Sequence, residues 1–113
     1  MTDCIFCKIV HGDIPSNKIY EDESILAFRD ITPQAPVHFL VVPKEHIPDA
    51  DAITAENSSL IGHIFTKIPE IMKAEGVVNG YRIINNCGAD GGQSVGHLHF
   101  HCLAGRPLAW PPG

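Results

Sequence analysis

The segment that most constrains the fold and chemistry of this chain runs from Gly96 to Leu103 and reads GHLHFHCL. Histidine alternates in it with apolar residues, which is the pattern of a β-strand whose two faces differ. We therefore predict a strand over Gly96–Leu103. One face of this strand carries three imidazoles: His97, His99 and His101. The other face points into the core and carries Leu98, Phe100 and Cys102.

Three imidazoles on one strand face favour either of two chemistries. Neighbouring rings would lie about 6.5–7 Å apart, so one phosphate group or one metal ion could engage them. Neutral histidine is a good zinc ligand, although side chains that project in parallel from a straight strand converge poorly on a single ion. An imidazole held neutral can also attack phosphorus as a nucleophile. The histidines alone leave both interpretations open.

A glycine-rich loop precedes this strand and covers residues 87–96. Its glycines, among them Gly92, allow backbone N–H groups to approach an anion closely. Gln93 and Ser94 add side-chain hydrogen-bond donors. Such loops are often only turns, but the adjacent histidines favour a phosphate site here.

Length and charge restrict the possible functions. The chain has 113 residues and should fold as a single domain, 1–113. A formal charge of -5 without a basic stripe argues against binding to DNA or RNA. No apolar run is long enough for a membrane span, and the stretch Met1–Cys4 does not resemble a signal peptide. We therefore expect a cytoplasmic protein without membrane attachment.

The spacing of apolar residues predicts the other elements. A short helix should carry Cys4 and Cys7 and stop at Gly12. A long helix should run from an N-cap at Thr54 to about Ala74, kinked or shortened by Pro69. Four further strands are expected, with a proline-rich extended tail after them: Lys18–Glu21, Ser24–Phe28, Val37–Val42, Tyr81–Asn85 and the tail Arg106–Gly113.

Among the cysteine and histidine residues outside the triad, some have the spacing of metal ligands and others do not. Cys4 and Cys7 have the spacing of a metal knuckle, and thiols without an export signal are more often metal ligands than disulfides. Two other cysteines are assigned to core or loop positions, and three histidines to surface or core positions. These five are Cys87, Cys102, His11, His38 and His63.

Taken together, these residues resemble the histidine triad (HIT) superfamily. Residues 97–103 fit its His-x-His-x-His-x-x pattern, in which x is apolar. Three flanking segments are similar to the Hint branch, the histidine triad nucleotide-binding proteins: DITPQAPVHFLVVP at 30–43, GGQSV at 91–95 and WPPG at 110–113. The resemblance extends over essentially the whole chain, and the Cys4/Cys7 pair is similar to that of bacterial members.

The resemblance implies an α+β HIT fold with a five-stranded antiparallel sheet and two helices. Two chains would form a homodimer with a continuous ten-stranded sheet, and the Trp110 tail would reach the partner subunit's site. The implied activity is hydrolysis of purine nucleoside 5'-phosphoramidates, of the AMP-NH2 or AMP-lysine type, through a nucleotidyl-histidine intermediate. The nucleotide ligand would be AMP or GMP.

Three alternatives remain open at this stage. One is a nucleotide-binding regulatory module with little turnover, which the same pocket would serve. Another is a related enzyme such as a dinucleoside polyphosphate hydrolase or nucleotidylyl transferase, against which the WPPG ending and the Gln93-Ser94 pair argue. The third is a zinc-stabilised structural protein.

The resemblance also assigns roles by position. His99 would be the nucleophile, His101 would contact the phosphate, and His97 and His46 would orient the reacting groups. Other residues would hold the phosphate and leaving amine (Ser94, Gln93), the ribose (Asp30) and the sugar-phosphate region (Asn86). The remaining implied nucleotide contacts, of which the apolar ones at 6, 9, 28 and 31 enclose the purine, are Phe6, Ile9, Phe28, Arg29, Ile31, Gly92 and Val95.

By the same resemblance, one zinc ion would be held by Cys4, Cys7, His46 and His97. Two thiolates and two imidazoles complete a closed tetrahedral shell, which stabilises a fold without activating water. Zinc is therefore expected to be structural, and the chemistry itself to need no cofactor. Gly96 stands where close animal relatives carry tyrosine, so the leaving-group pocket should have a different shape.

Overall fold

The computed structural model describes residues 3–113; Met1 and Thr2, part of the stretch predicted not to be a signal peptide, lie outside them. No helix among the described residues is long and apolar enough to cross a bilayer. A 3-10 turn at Ala50–Ala52 precedes the long helix. The other elements are, in chain order, α1 (Ile5–His11), β1 (Lys18–Glu21), β2 (Ile25–Arg29), β3 (Val37–Pro43), α2 (Ser58–Ala74), β4 (Tyr81–Ile84), α3 (Gly88–Gly91) and β5 (Phe100–Ala104).

The strands form one antiparallel sheet in the order β1-β2-β3-β5-β4, which confirms the predicted α+β class and five-stranded sheet. The central strand β3 is buried along most of its length, because both of its faces are covered. Helix α2 covers one face with Ile64, Ile68 and Met72. Helix α1 covers the opposite face with Phe6 and Ile9.

The predicted start of the last strand at Gly96 is wrong, because β5 begins at Phe100. Strand pairing ends there, since Val41 is the last β3 residue opposite β5 and the chain leaves the sheet after Pro43. The Leu98 N–H instead donates to the Ile47 carbonyl at 2.6 Å. Residues 97–99 therefore lie outside the ladder, and the chain bends at residues 95–97.

Two helix predictions also need correction. Helix α2 has its N-cap at Asn57 rather than Thr54, because the Asn57 side chain builds the preceding turn by accepting the Thr54 N–H at 2.7 Å. Of the two effects predicted for Pro69, a kink or a shortening, the shortening is wrong, because α2 continues to Ala74, the predicted end. The ring lies on the exposed side of the helix, where water can bond the freed carbonyl, while the apolar side stays buried. The glycine-rich loop also contains α3, a third helix of one turn.

Asp22 ties the β1–β2 hairpin to α2. The Tyr20 hydroxyl donates to Asp22 Oδ2 at 2.7 Å, and His63 Nε2 of α2 lies 2.7 Å from the same oxygen. The backbone N–H groups of Ser24 and Ile25 donate to Oδ1. Burial opposes ionisation, but these hydrogen bonds outweigh it and hold the pKa of the Asp22 carboxyl well below its usual range.

Replacement of Asp22 with asparagine should lower the free energy of unfolding by roughly 1–2 kcal/mol at pH 7. The new amide nitrogen would face two donors, from Tyr20 and His63. Urea unfolding measures the effect, and Glu23→Gln, the same charge change on an exposed neighbour, should alter stability by less than about 0.5 kcal/mol. Because the pKa of Asp22 is lowered by folding, its contribution is present above the unfolded pKa, about 3.9, and should fade below it. Equal losses in both variants would contradict this account.

Candidate active site and metal centre

The three triad imidazoles lie on the α1 face of the sheet, whereas Leu98, Phe100 and Cys102 join the core on the α2 face, as predicted. His97 and His99 are buried, and the His101 side chain is 20% exposed. The His99 and His101 ring centroids are 5.2 Å apart, closer than strand spacing predicts, because the rings meet edge to face. The Phe6 ring of α1 packs edge-on against His99 at 5.0 Å.

Hydrogen bonding determines which nitrogen of His99 carries the lone pair. His99 Nδ1 lies 2.7 Å from the carbonyl oxygen of His97. A carbonyl oxygen only accepts, so Nδ1 is the protonated nitrogen and Nε2 keeps its lone pair. Asn85 supports the same backbone, because its Nδ2 donates to the His99 carbonyl at 2.9 Å. The arrangement therefore holds the imidazole in a fixed orientation with Nε2 as the nitrogen that can offer a lone pair, which is what a nitrogen nucleophile requires.

A hydrogen-bond chain lies behind His101 and includes His38, to which sequence analysis gave no functional role. The Gln34 backbone N–H donates to His38 Nδ1 at 3.0 Å, so His38 Nε2 carries the proton. That nitrogen lies 3.0 Å from His101 Nδ1 and 3.4 Å from Asp30 Oδ2. His101 Nδ1 can therefore accept, which leaves the His101 Nε2–H available for an anion.

Burial disfavours the protonated form of both imidazoles. It lowers the pKa of His38 against the opposing effect of Asp30. It also lowers the pKa of His101, helped by the neighbouring His99 and His38 rings. Ligand atoms of Asp30, His38 and His101 lie close enough together for a metal ion. The proton on His38 Nε2, however, makes this nitrogen a donor, so the group forms a hydrogen-bond chain and is a poor metal site.

The four residues predicted to hold zinc converge at the start of α1. Cys7 Sγ lies 3.2 Å from His46 Nδ1 and 3.6 Å from His97 Nδ1, and Cys4 Sγ lies 3.3 Å from His97 Nδ1. All four ligand atoms lie within 4.8 Å of one another. The edges of a tetrahedral zinc site measure about 3.3–3.8 Å, so these residues fit the ion.

The start of α1 places two of these ligands, Cys4 and Cys7, next to each other. Cys4 is the N-cap of α1, and Cys7 follows one turn later with its N–H donating to Cys4 Sγ at 3.4 Å. His97 Nε2 donates to the Pro43 carbonyl at 2.8 Å, so the Nδ1 that faces the thiols carries the lone pair. The donor set therefore matches a structural metal centre in chemistry as well as in distance.

The Gln93 side chain forms hydrogen bonds that stabilise the glycine-rich loop. Its Oε1 accepts the Gly88 N–H at 2.9 Å, and its Nε2 donates to the carbonyls of Pro48 and Val95 at 2.8 and 2.9 Å. Both amide protons are used within the protein, so the Gln93 side chain stabilises the loop. It has no free donor for the predicted contact with the phosphate and the leaving amine. Ser94, next to it, is exposed.

The other predicted nucleotide contacts fall in three places. Phe6, Ile9, Phe28 and Val95 belong to the apolar cluster under α1. Asn86 lies just before the glycine-rich loop, and Gly92 lies within it as the C-cap of α3. Ile31 is 98% exposed next to Asp30 and provides an apolar surface at the edge of the candidate nucleotide site. Arg29 lies on the α2 face, where its guanidinium pairs with Glu75 at 2.7 and 3.0 Å. Contact between Arg29 and a ligand on the histidine face is therefore limited to its backbone.

Comparison with known proteins gives consistent results. Residues 3–107 match the family model described as "Scavenger mRNA decapping enzyme C-term binding". An uncharacterized HIT-like protein of Synechococcus elongatus is 51% identical over 98% of this chain and 97% of its own length. A HIT family hydrolase from Legionella pneumophila Philadelphia 1 is 46% identical, with a TM-score of 0.96 over 98% of this chain and 100% of that one. A histidine triad protein from Clostridium difficile is 51% identical, with a TM-score of 0.93 over 96% of each chain.

Proposed function

This chain belongs to the histidine triad (HIT) family, and from that premise we propose that it is a purine-nucleotide-binding hydrolase that cleaves nucleoside 5'-phosphoramidates. The observation that carries the proposal is the 2.7 Å hydrogen bond from His99 Nδ1 to the His97 carbonyl. It leaves Nε2 of a buried, oriented imidazole as the nucleophilic atom. The similar hydrolase from Legionella pneumophila supports the general class of reaction.

The reaction proceeds in two displacements at phosphorus. First, the His99 Nε2 lone pair attacks the α-phosphorus and the P–N bond breaks. The amine leaves with the electron pair of that bond and takes up a proton from solvent. Then a water oxygen attacks phosphorus, the Nε2–P bond breaks, and the water releases a proton. The products are the amine, the nucleoside monophosphate and neutral His99.

Neighbouring groups stabilise charge on the phosphoryl oxygens. The His101 Nε2–H donates to one of them, and the Ser94 hydroxyl and loop N–H groups bind the others. Asp30 accepts from the ribose hydroxyls, and Asn86 contacts the sugar-phosphate region. The purine is enclosed by apolar side chains: Phe6, Ile9, Phe28 and Ile31. AMP or GMP is the nucleotide product that these contacts would bind.

Zinc has a structural role in this proposal. Cys4, Cys7, His46 and His97 would fill all four of its coordination positions, so no position remains for water or substrate. When bound, the ion supplies cross-links between α1, the loop at His46 and the start of the histidine segment. The catalytic steps depend on the protein's own side chains.

A homodimer with a joined ten-stranded sheet also belongs to the proposal. Strand β4 forms one end of the sheet, and Tyr81 on it is 41% exposed. Arg82 of the same strand donates to the carbonyls of Leu108 and Ala109, which holds the tail with its exposed Trp110. Light scattering after gel filtration should give the mass of two chains.

Burst-phase kinetics with adenosine 5'-phosphoramidate test the activity. We expect release of AMP and, after rapid denaturing quench, a mass increase of one adenylyl group on His99 by peptide mass spectrometry. AMP binding without turnover and without the adduct would instead identify a nucleotide-binding module.

Replacement of His38 with leucine should lower kcat about 10- to 100-fold while changing the Kd for AMP less than about threefold. The variant lacks the Nε2–H that donates to His101 Nδ1, so His101 no longer has a fixed tautomer. His38→Gln offers an amide donor and should recover part of kcat, and His11→Leu, on the exposed end of α1, should leave kcat unchanged. A kcat that is equally low in His38→Leu and His38→Gln would show that His38 acts only through packing.

A further inference from the structure

The loop between β2 and β3, residues 30–36, carries two of the proposed nucleoside contacts, Asp30 and Ile31. Its Gln34 contacts His38 through the backbone. Residues 31–34 are exposed, and the loop contains no helix or strand. An exposed connection of this kind holds one conformation only where hydrogen bonds or packing fix its backbone.

Arg106, two residues after β5, binds this loop from the start of the tail. Its Nε and Nη2 donate to the Gln34 carbonyl at 3.1 and 2.8 Å, and its Nη1 donates to the Pro107 carbonyl at 3.0 Å. The two segments also pack closely beside this contact, because a Cβ built on Gly105 would lie 2.8 Å from Pro36 Cβ. Two N–H groups of one rigid guanidinium converge on a single oxygen, so they restrain the Gln34 backbone more closely than one nitrogen could.

The Gln34 backbone sets the direction of the hydrogen-bond chain behind His101. Its N–H donates to His38 Nδ1 at 3.0 Å, so the His38 proton lies on Nε2 and faces His101 Nδ1. With its proton on Nδ1 instead, His38 would accept at Nε2. His101 would then have to donate from Nδ1, and its Nε2 would carry a lone pair that repels a phosphoryl oxygen. The position of the Gln34 N–H therefore affects whether His101 can bind an anion.

We propose that Arg106 is a positioning residue for His101: it holds the Gln34 N–H on His38 and thereby keeps the His101 Nε2–H available to the phosphate. The inference rests on the proposed phosphoramidase function. Asp30 Oδ2 lies 3.4 Å from His38 Nε2 and favours the same tautomer, so loss of Arg106 should weaken this preference without reversing it. We therefore expect kcat to fall about fivefold to tenfold.

The ¹⁵N chemical shifts of the histidine rings test the tautomer without depending on turnover. Ring nitrogens with and without a proton differ strongly in shift, and at about pH 8 an ordinary histidine is neutral. The wild-type protein should show His38 protonated at Nε2, with the signals assigned by their loss in His38→Leu. Arg106→Gln should move both His38 shifts toward the average of the two tautomers. Lys73→Gln, which removes an exposed positive charge from α2, should leave them unchanged.

Single-turnover kinetics with adenosine 5'-phosphoramidate test the consequence for the reaction. Arg106→Gln should lower kcat about fivefold to tenfold and change the Kd for AMP less than about threefold, because the Asp30 N–H is held separately by the His38 carbonyl at 3.1 Å. Arg106→Lys keeps the charge but not the paired N–H groups, so it should resemble Arg106→Gln. In a His38→Leu background, Arg106→Gln should lower kcat by less than about twofold, because both residues act through one chain of hydrogen bonds.

Wild-type nitrogen shifts in Arg106→Gln, or wild-type kcat in either Arg106 variant, overturn the inference. An equal loss of kcat with and without His38 also overturns it, because Arg106 would then act through the tail. In all these cases turnover by the wild-type protein still supports the proposed function. If the wild-type protein does not hydrolyse the phosphoramidate, the proposed function fails, and the nitrogen shifts still decide whether Arg106 sets the tautomer of His38.

Discussion

Replacement of His99 with alanine should reduce phosphoramidate turnover by at least about 1,000-fold, because the variant lacks the Nε2 lone pair that attacks phosphorus. The phosphate and ribose contacts remain, so the Kd for AMP should change less than about tenfold. Single-turnover kinetics with adenosine 5'-phosphoramidate measure the rate, and isothermal titration with AMP measures binding. The adenylyl adduct should disappear from the mass spectrum at the same time.

A second variant separates nucleophilicity from packing, because His99 is buried against Phe6 and alanine leaves a void. In His99→Asn, the side-chain NH2 can still donate to the His97 carbonyl, but no atom replaces Nε2. This variant should be as inactive as His99→Ala while unfolding closer to the wild-type temperature. Retained turnover in either variant, or an adduct on His101, would show that another group is the nucleophile.

Replacement of Cys7 with serine should abolish stoichiometric zinc binding and lower the free energy of unfolding by about 3 kcal/mol or more. The reason is that Cys7 Sγ contacts both imidazoles of the centre, His46 and His97, so its loss leaves an incomplete ligand set. Metal analysis of the purified protein gives the zinc content. Urea unfolding with and without a chelator gives the stability that depends on it.

Cys87→Ser is the matched control for the metal centre. Cys87 lies at the N-cap of α3, outside the four-residue cluster, so this variant should keep one zinc ion per chain. The chelator should destabilise the wild-type protein and Cys87→Ser equally and should have little effect on Cys7→Ser. Full zinc content in Cys7→Ser, or a wild-type protein insensitive to chelation, would contradict the assignment.

The period of two along residues 97–102 was sufficient to predict which side chains share a face, because this alternation does not depend on the rest of the fold. The strand boundary was not predictable in the same way. A strand begins where a partner strand is present, and the partner of Phe100 is Val41, whose position beside it comes from tertiary structure. The residues before Phe100 alternate as predicted without being part of the sheet.

His38 and Gln93 show why part of the site could not be predicted. His38 shares a face of β3 with Leu40 and Val42, but its contact with His101 spans 63 residues of sequence. Gln93 reaches a carbonyl 45 residues away. Such contacts depend on which segments become neighbours, and local periodicity does not contain that information. The family resemblance predicted the convergence of Cys4, Cys7, His46 and His97, and the geometry agrees.

Phe6 lies between Cys4 and Cys7 in sequence, and its ring borders both His99 and Phe28. The segment that carries two of the candidate metal ligands therefore also forms a wall of the proposed purine pocket. We expect the loss of one cysteine to disturb the pocket as well as the metal centre, because Phe6 is part of the same helix start. Evolution toward a metal-free form would have to fill the space at Cys4, Cys7 and His46 with packing side chains in a coordinated set of substitutions.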